Sequence, residues 1–411
     1  MPRNDFQLQT TGNGGQERVL VFASDFSTSE GDRWLLDDIV DGFVSQGAHV
    51  DVLAFDNKRP RPRGVSERNG GRVRVISVGP EKTPKGSVAK ILSRLHSALL
   101  MHTTAYGVLK REKYDVAVFT SIAATAAAVP GRLRRSGAVK NLVFVLWDFF
   151  PVHQIEIGRL PSNRLVKSLR WLEYFSFATA DRVAVMSPAN ERFFRAYFPS
   201  YRGKTLILPP WAQTDEPSAA DVSKAPVFTA VFGGQLVKGR GVETILKAAE
   251  ILESRDVELE IMIAGDGVLR ETMEGMAASL KLRSVKFLGS IPRPEYRRLL
   301  KTAHVGIAAT VTGVSVPAFP SKIVEYCRAS IPVVACLDPA SDAGDVLLEY
   351  GAGVVLSAGD ANMLADALER LSSDLTSGRL TDLSQAARKL FDDRLSSTHA
   401  ARTILSTTAT T

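Results

Sequence analysis

The 411-residue chain contains only two cysteines, Cys327 and Cys336. Two are too few for a disulfide framework, and no Cys/His cluster has zinc-ligand spacing, so both read as half-buried structural thiols. No apolar run approaches the ~20 residues that span a bilayer. The first residues, Met1–Gln16, are polar and Gly-rich and lack the apolar core of a signal peptide, which points to a cytosolic protein. No G-x-G-x-x-G follows any predicted strand, which speaks against a dinucleotide dehydrogenase; without G-x-x-x-x-G-K-[ST], P-loop nucleotidases are disfavoured as well. Nucleic-acid motifs are missing, as is regular interleaving of aromatic and basic residues, so no nucleic-acid partner is expected.

What is present begins with length: 45% of the residues are hydrophobic, enough for two cores, and a single domain of this size would be atypical. Charge is unevenly spread. Residues 1–213 hold 30 Lys and Arg against 19 Asp and Glu, while the remainder is slightly acidic. The first half should therefore meet something anionic, and a membrane surface or a lipid diphosphate fits better than nucleic acid.

Short buried strands alternate with helical segments along the chain. In the second half they are Val227–Phe232, Glu258–Ala264, Val285–Leu288, Val305–Ala308 and Val333–Cys336; in the first half Arg18–Ala23, His49–Phe55, Val73–Ser77, Val116–Phe119, Leu142–Leu146, Arg182–Val185 and Thr205–Leu208. Such alternation predicts doubly wound parallel sheets, with ligands at the strands' carboxyl ends. Lys58–Gly71, dense in Arg, Pro and Gly, reads as a mobile surface loop. A Pro/Ser/Ala/Asp-rich interruption after Pro209 marks the boundary, giving domains at 1–210 and 227–390, a linker at 211–226 and a C-terminal helix and tail at 391–411. An interdomain cleft is then the default ligand site.

Three post-strand turns carry unusual residues. Gly233 and Gly234 permit a tight turn and close backbone approach, and Lys238 and Arg240 place cations at the start of the helix Val242–Glu253, an arrangement suited to phosphate. Pro320 and Ser321 are helix-start signals that leave N–H groups free for an anion, with Lys322 beside them. Glu325, one turn on, can accept both hydroxyls of a ribose. Gly265-Asp266-Gly267 reads equally as a plain turn or a ligand contact. Each feature alone has an ordinary structural explanation; together they describe a nucleoside-diphosphate site.

The run Gly234–Ala335 resembles the donor half of retaining glycosyltransferases of the GT-B fold, family 4, in its bacterial polysaccharide-biosynthesis branch. The resemblance rests on Gly234-Gln235-Leu236 with Arg240-Gly241, Ile263-Ala264-Gly265-Asp266-Gly267, Val285–Ile291, Pro320–Tyr326 and Pro332–Ala335. In the first half it is carried by Arg33, Asp148-Phe149-Phe150-Pro151 and Ala180–Val183. It implies two Rossmann-like domains, the last helix packing back across the cleft, and a nucleotide-sugar donor bound by Gly234, Gln235, Lys238, Arg240, Gly265, Ile291, Pro320, Ser321, Lys322 and Glu325. Ile291 would lie against the base, while Arg33, Trp147 and Asp148 would meet the acceptor. Asp148, His153 and Arg240 are the candidate catalytic residues, although Asp148 and His153 read equally as structural.

The departures from the family are specific. Pro317 stands where the first carboxylate of the family's E-x7-E pair belongs, Gln235 replaces a common Arg, and Trp147 stands where many relatives have His. The paired carboxylates ~5 Å apart of retaining hydrolases are not evident; the reaction that the resemblance implies is front-face transfer of a sugar to a hydroxyl, in which Arg240, Lys238 and a helix N-terminus stabilise the leaving diphosphate, so that no cofactor and no metal is expected. A sugar-nucleotide epimerase and a catalytically silent scaffold subunit are the alternatives. Two basic apolar stretches bear on the acceptor. Lys85–Arg111 is expected to dock on an anionic membrane surface, which favours a lipid-diphosphate-linked glycan and a peripheral position on the membrane's inner face. Leu160–Phe177 is expected to pack its apolar side on the sheet.

Overall fold

The computed structural model describes residues 16–23, 26–27, 35–55, 63–79, 87–107, 109–120, 128–214, 223–376 and 378–408. Arg33, Lys85 and residues 58–62 of the basic loop lie outside them.

The first domain runs β1 (Arg18–Ala23), α1 (Leu35–Ser45), β2 (His49–Ala54), β3 (Gly64–Arg68), β4 (Val73–Ser77), α2 (Ser87–Gly107) and β5 (Tyr114–Phe119). It continues with α3 (Ala128–Arg135), β6 (Val139–Val145), α4 (Val152–Glu156), α5 (Arg164–Ser168), α6 (Arg170–Phe177), β7 (Arg182–Val185), α7 (Pro188–Tyr197) and β8 (Lys204–Ile207). The second comprises β9 (Thr229–Gly233), α8 (Val242–Ser254), β10 (Glu260–Ala264), α9 (Arg270–Ser279), β11 (Val285–Gly289), α10 (Arg293–Thr302) and β12 (Val305–Ala309). After these come α11 (Ser321–Arg328), β13 (Val333–Leu337), α12 (Ala343–Tyr350), β14 (Gly353–Ser357), α13 (Ala361–Ser373), α14 (Arg379–Leu390) and α15 (Ser397–Leu405).

Both sheets are doubly wound. The first has the order β3-β4-β2-β1-β5-β6-β7-β8, parallel except for the β3–β4 pair, and the second β11-β10-β9-β12-β13-β14, parallel throughout. Strands covered on both faces read as continuous apolar runs, as Arg18–Ala23 does, because neither side meets water. In the second sheet the order reverses between β9 and β12. In open parallel sheets the ligand crevice lies where the strand order reverses, because the loops on either side turn apart there, so the loops after these two strands should hold it.

Four expectations need correction. The segment read as a mobile loop holds β3, an antiparallel edge strand against β4. Cys327 and Cys336 are fully buried, and burial pushes both thiols up. Trp211, assigned to the linker, is buried in the first domain's core, its indole N–H donating to the Leu35 carbonyl at 2.8 Å. Leu160–Phe177 lays only part of its apolar side on the sheet: it breaks at Leu169 into α5 and α6, Phe177 packs on Phe144 of β6 with Tyr174 beside it, and Glu173 and Ser176 take the other inward positions. Leu165, Trp171, Leu172 and Phe175 consequently face solvent.

The chain end returns to the first domain. Ala400, Ala401, Ile404 and Leu405 of α15 join β1 and α1 in one core, and a Cβ at Gly42 of α1 would lie 2.3 Å from the Ser397 carbonyl oxygen. Glycine there permits the close helix approach.

Candidate functional site

A cavity of about 440 Å³ opens between the domains, lined by loops that follow strands of both sheets. The first domain contributes Trp147, Asp148 and Phe149 after β6, His153, Gln154, Ile157 and Arg159 on and after α4, and Asn190 of α7. Across from them stand Lys238, Gly239 and Arg240 after β9 and Thr310, Pro317, Pro320 and Ser321 after β12. These last two loops flank the strand-order reversal. Of the residues singled out in the sequence, the structure brings Trp147, Asp148, His153, Lys238, Arg240, Pro320 and Ser321 to one cavity.

Positive charge concentrates there. Arg240 keeps solvent access through the cleft, yet protein surrounds it closely enough that desolvation, with Arg159 adding repulsion, presses its pKa down against the pull of Asp148. Both α8 and α11 begin without a side-chain cap, so their first N–H groups are left for other partners. Those of α11 start at Ser321, on the cavity wall. On the opposite wall Asp148 Oδ2 accepts from Gln154 at 3.2 Å, and the buried His153 Nδ1 has no hydrogen-bond partner among the described residues.

Behind the cavity wall lies Lys322. Its ammonium is buried, packs 3.7 Å from the centroid of Phe232 and has no hydrogen-bond partner among the described residues. Burial, with Arg240 second, lowers its pKa well below the usual lysine range. The same nitrogen lies 3.7 Å from where a Cβ of Gly234 would sit, so it stands directly beneath the Gly234-Gln235 turn. Gly265 packs against that turn: its Cβ would come within 1.8 Å of the Gly234 carbonyl oxygen at φ +152°, a position open only to glycine.

Gly234, Gln235, Gly265, Ile291, Lys322 and Glu325 do not line the cavity itself; they extend from it along the second sheet's carboxyl edge. Glu325 is not isolated. Its oxygens lie 3.3 Å from Arg293 and 3.2 Å from Arg328, and Arg293 also reaches Asp38 of α1 at 3.4 Å. The neighbouring Tyr326 hydroxyl accepts from Gly233 N–H and donates to the Ile307 carbonyl, tying β9 to β12 at the crevice.

Sequence reasoning missed the residues that join the domains. Glu156 accepts from Ser315 N–H at 2.9 Å, from the Ser315 hydroxyl and from Val316 N–H at 3.4 Å. Asn190 donates to the Pro317 carbonyl at 2.9 Å, and Ala189 N–H to Asp342 at 2.7 Å. Glu173, also missed, accepts from Phe150 N–H and so fixes the loop that bears Asp148; burial holds its pKa up at about 8, with Asp148 adding to the effect. The available signal was position alone, since Asn190 lies in the first turn of α7, just after β7, and Glu156 at the end of α4, the first helix after β6. Among the described residues no group of three His, Cys, Asp or Glu is placed to hold a metal ion.

Residues 216–390 match the family model "Glycosyl transferases group 1", and residues 34–211 match "Glycosyl transferase 4-like domain". The chain belongs to these glycosyl transferases. Among solved structures this glycosyltransferase is similar to sucrose-phosphate synthase from Thermosynechococcus elongatus, with TM-score 0.70 and 15% identity over 96% of this chain and 99% of that one. HepE of Anabaena, in complex with UDP and glucose, aligns with TM-score 0.63 and 16% identity over 96% and 100%. A trehalose-6-phosphate synthase, studied for glycosyl transfer with retention, aligns with TM-score 0.67 and 11% identity over 96% and 99%. These likenesses show the GT-B fold. No curated protein matches the chain at a significant level.

Proposed function

We propose that this glycosyltransferase moves a sugar, with retention at the anomeric carbon, from a nucleoside-diphosphate donor to a hydroxyl of a lipid-diphosphate-linked glycan in cell-surface polysaccharide biosynthesis. The observation that carries the reading is the convergence of Arg240, Lys238 and the uncapped start of α11 on one wall of the cleft, with Asp148 and His153 on the other. Buried Lys322 lies behind the first wall. That wall suits a diphosphate, whose charge grows as the glycosidic bond breaks.

In this scheme the acceptor hydroxyl attacks the face from which the diphosphate departs. The bond from the anomeric carbon to the diphosphate oxygen breaks, the new C–O bond forms, and the departing diphosphate takes the hydroxyl proton. Arg240 and Lys238 supply the positive charge a metal would otherwise bring. Asp148, oriented by Gln154, positions the acceptor hydroxyl, while Glu325 holds the ribose and Ile291 the base. The basic first domain suits a place on the inner, anionic face of the membrane; no helix among the described residues is long and apolar enough to cross one.

Thermal unfolding with UDP, GDP and ADP in turn tests the donor site. A diphosphate at ~100 times its dissociation constant adds about 2.7 kcal/mol, and Glu325→Ala is expected to abolish the shift. Indifference to all three at millimolar concentration would refute the reading. Product analysis with a donor then separates transfer from epimerisation and from silent binding.

A further inference from the structure

We propose that the exposed face of α5 and α6 is where the protein docks on an anionic lipid bilayer. The exposed large aromatic side chains among the described residues are Phe150, Trp171 and Phe175, all within one stretch of the first domain. On α5 and α6, Leu165 is 76% exposed, Phe175 63%, Leu172 50% and Trp171 48%. A soluble domain rarely leaves so much apolar surface together unless something covers it.

Charge complementarity identifies the occupant. Arg164, Lys167 and Arg170 are exposed on the same two helices, and the Arg170 guanidinium lies 5.2 Å above the Trp171 ring. The one acid between Gly158 and Ala180 is Glu173, which is buried. The face therefore presents cations and large apolar groups with no negative charge, the composition that binds the headgroup boundary of an anionic bilayer. Trp suits that boundary because its ring is amphipathic. A protein partner would need an acidic apolar groove, for which nothing else on this surface argues.

Position links the face to the cleft. Arg159 lines the cavity, and α5 begins at Arg164, five residues on. A bilayer seated on α5 and α6 would hold a lipid-borne acceptor at the cleft's mouth, beside α4 and its His153. The proposal rests on the lipid-linked acceptor read above and moves the membrane contact from α2 to this face.

The test is cosedimentation with phosphatidylcholine vesicles, with and without phosphatidylglycerol, at low salt. Arg164→Ser/Lys167→Ser/Arg170→Ser should lower binding to the anionic vesicles roughly 100-fold, about five-fold per basic residue, and Trp171→Ser/Phe175→Ser should also release the protein. Both variants should keep the wild-type melting temperature and its shift with nucleoside diphosphate. Leu92→Ser/Leu99→Ser on α2, whose side chains are also exposed, should bind like wild type. If the α5–α6 variants bind as wild type does, or if the α2 variant alone is released, the placement is overturned while the membrane reading stands. A wild type that ignores anionic vesicles overturns both and leaves the face to a protein partner.

Discussion

Replacing Lys322 by Met should move stability and ligand affinity in opposite directions. The Lys322 ammonium is buried without a hydrogen-bond partner among the described residues and sits against Phe232. Burial holds its pKa well below the usual lysine value, so the unfolded chain binds a proton that the folded chain resists. Lys322 therefore costs stability at neutral pH, and the cost shrinks as pH rises toward the unfolded value. Methionine keeps the length and an apolar contact with the ring. Removing an unsatisfied buried group is worth about 1–3 kcal/mol, which corresponds to a melting temperature roughly 2–12 °C higher for domains of this size. Affinity for the nucleoside diphosphate should fall, because a hydrogen bond to a charged group contributes about 1.5–3 kcal/mol, roughly 10- to 100-fold in Kd. Thermal unfolding across a diphosphate titration reads both quantities in one experiment. A melting temperature that drops without ligand, or a Kd that does not change, would show that Lys322 is an ordinary core residue and not a waiting counter-charge.

Three further outcomes follow from particular contacts. Glu173 titrates near 8 in the folded protein, well above its ordinary range, so stability should decline as pH rises through about 4.5 to 8, at up to about 1.4 kcal/mol per unit; in Glu173→Gln the melting temperature should be flatter with pH, and an unchanged slope would refute the assignment. Gly265→Ala places a Cβ 1.8 Å from the Gly234 carbonyl at a strained φ, so it should destabilise the second domain by about 1–3 kcal/mol and weaken diphosphate binding, both visible in the same melts. Glu156→Ala deprives Ser315 and Val316 of their acceptor and should lengthen the time-averaged domain separation, seen as a larger radius of gyration in solution scattering; identical scattering would mean that the latch does not hold the domains.

Most strands were legible because a parallel strand buried on both sides must be a short unbroken apolar run. The exceptions obey the same physics. β3, Gly-Val-Ser-Glu-Arg, is an antiparallel edge strand with most side chains in water, so no apolar run marks it, and β14 is a partly exposed edge following a Gly-Ala-Gly turn. Helices α5 and α6 failed for a different reason. Composition shows that a helix has an apolar side but not how much of that side the sheet takes, and here Glu173 and Ser176 share the inward positions with Phe177, leaving Leu165, Trp171, Leu172 and Phe175 outside. At the site, residues next to strand ends could be read locally. Glu156 and Asn190 act on a loop more than a hundred residues away, and nothing in local sequence encodes such a pairing.

That long-range pairing bears on the clearest departure from the family pattern. Pro317 brings no carboxylate to the loop after β12, and its carbonyl is committed to Asn190. The loop's N–H groups at Ser315 and Val316 are committed to Glu156. Both anchoring residues belong to the opposite domain, whereas the flanking Gly313 and Ala318 are held by Asp338 and Ser341 of the loop's own domain, so the stretch Ser315–Pro317 takes its partners across the cleft. The wall at this point is formed by Val314, Val316 and Pro317, with no acidic side chain among them. The cations differ: Lys238 and Arg240 stand on the second domain's own loop after β9, so they stay with that domain whether or not the cleft is shut. Such a division would let the donor bind to the open form and let closure complete the surroundings of its sugar. It would also place specificity for the sugar in the interdomain contacts, outside the motif that the family resemblance rests on.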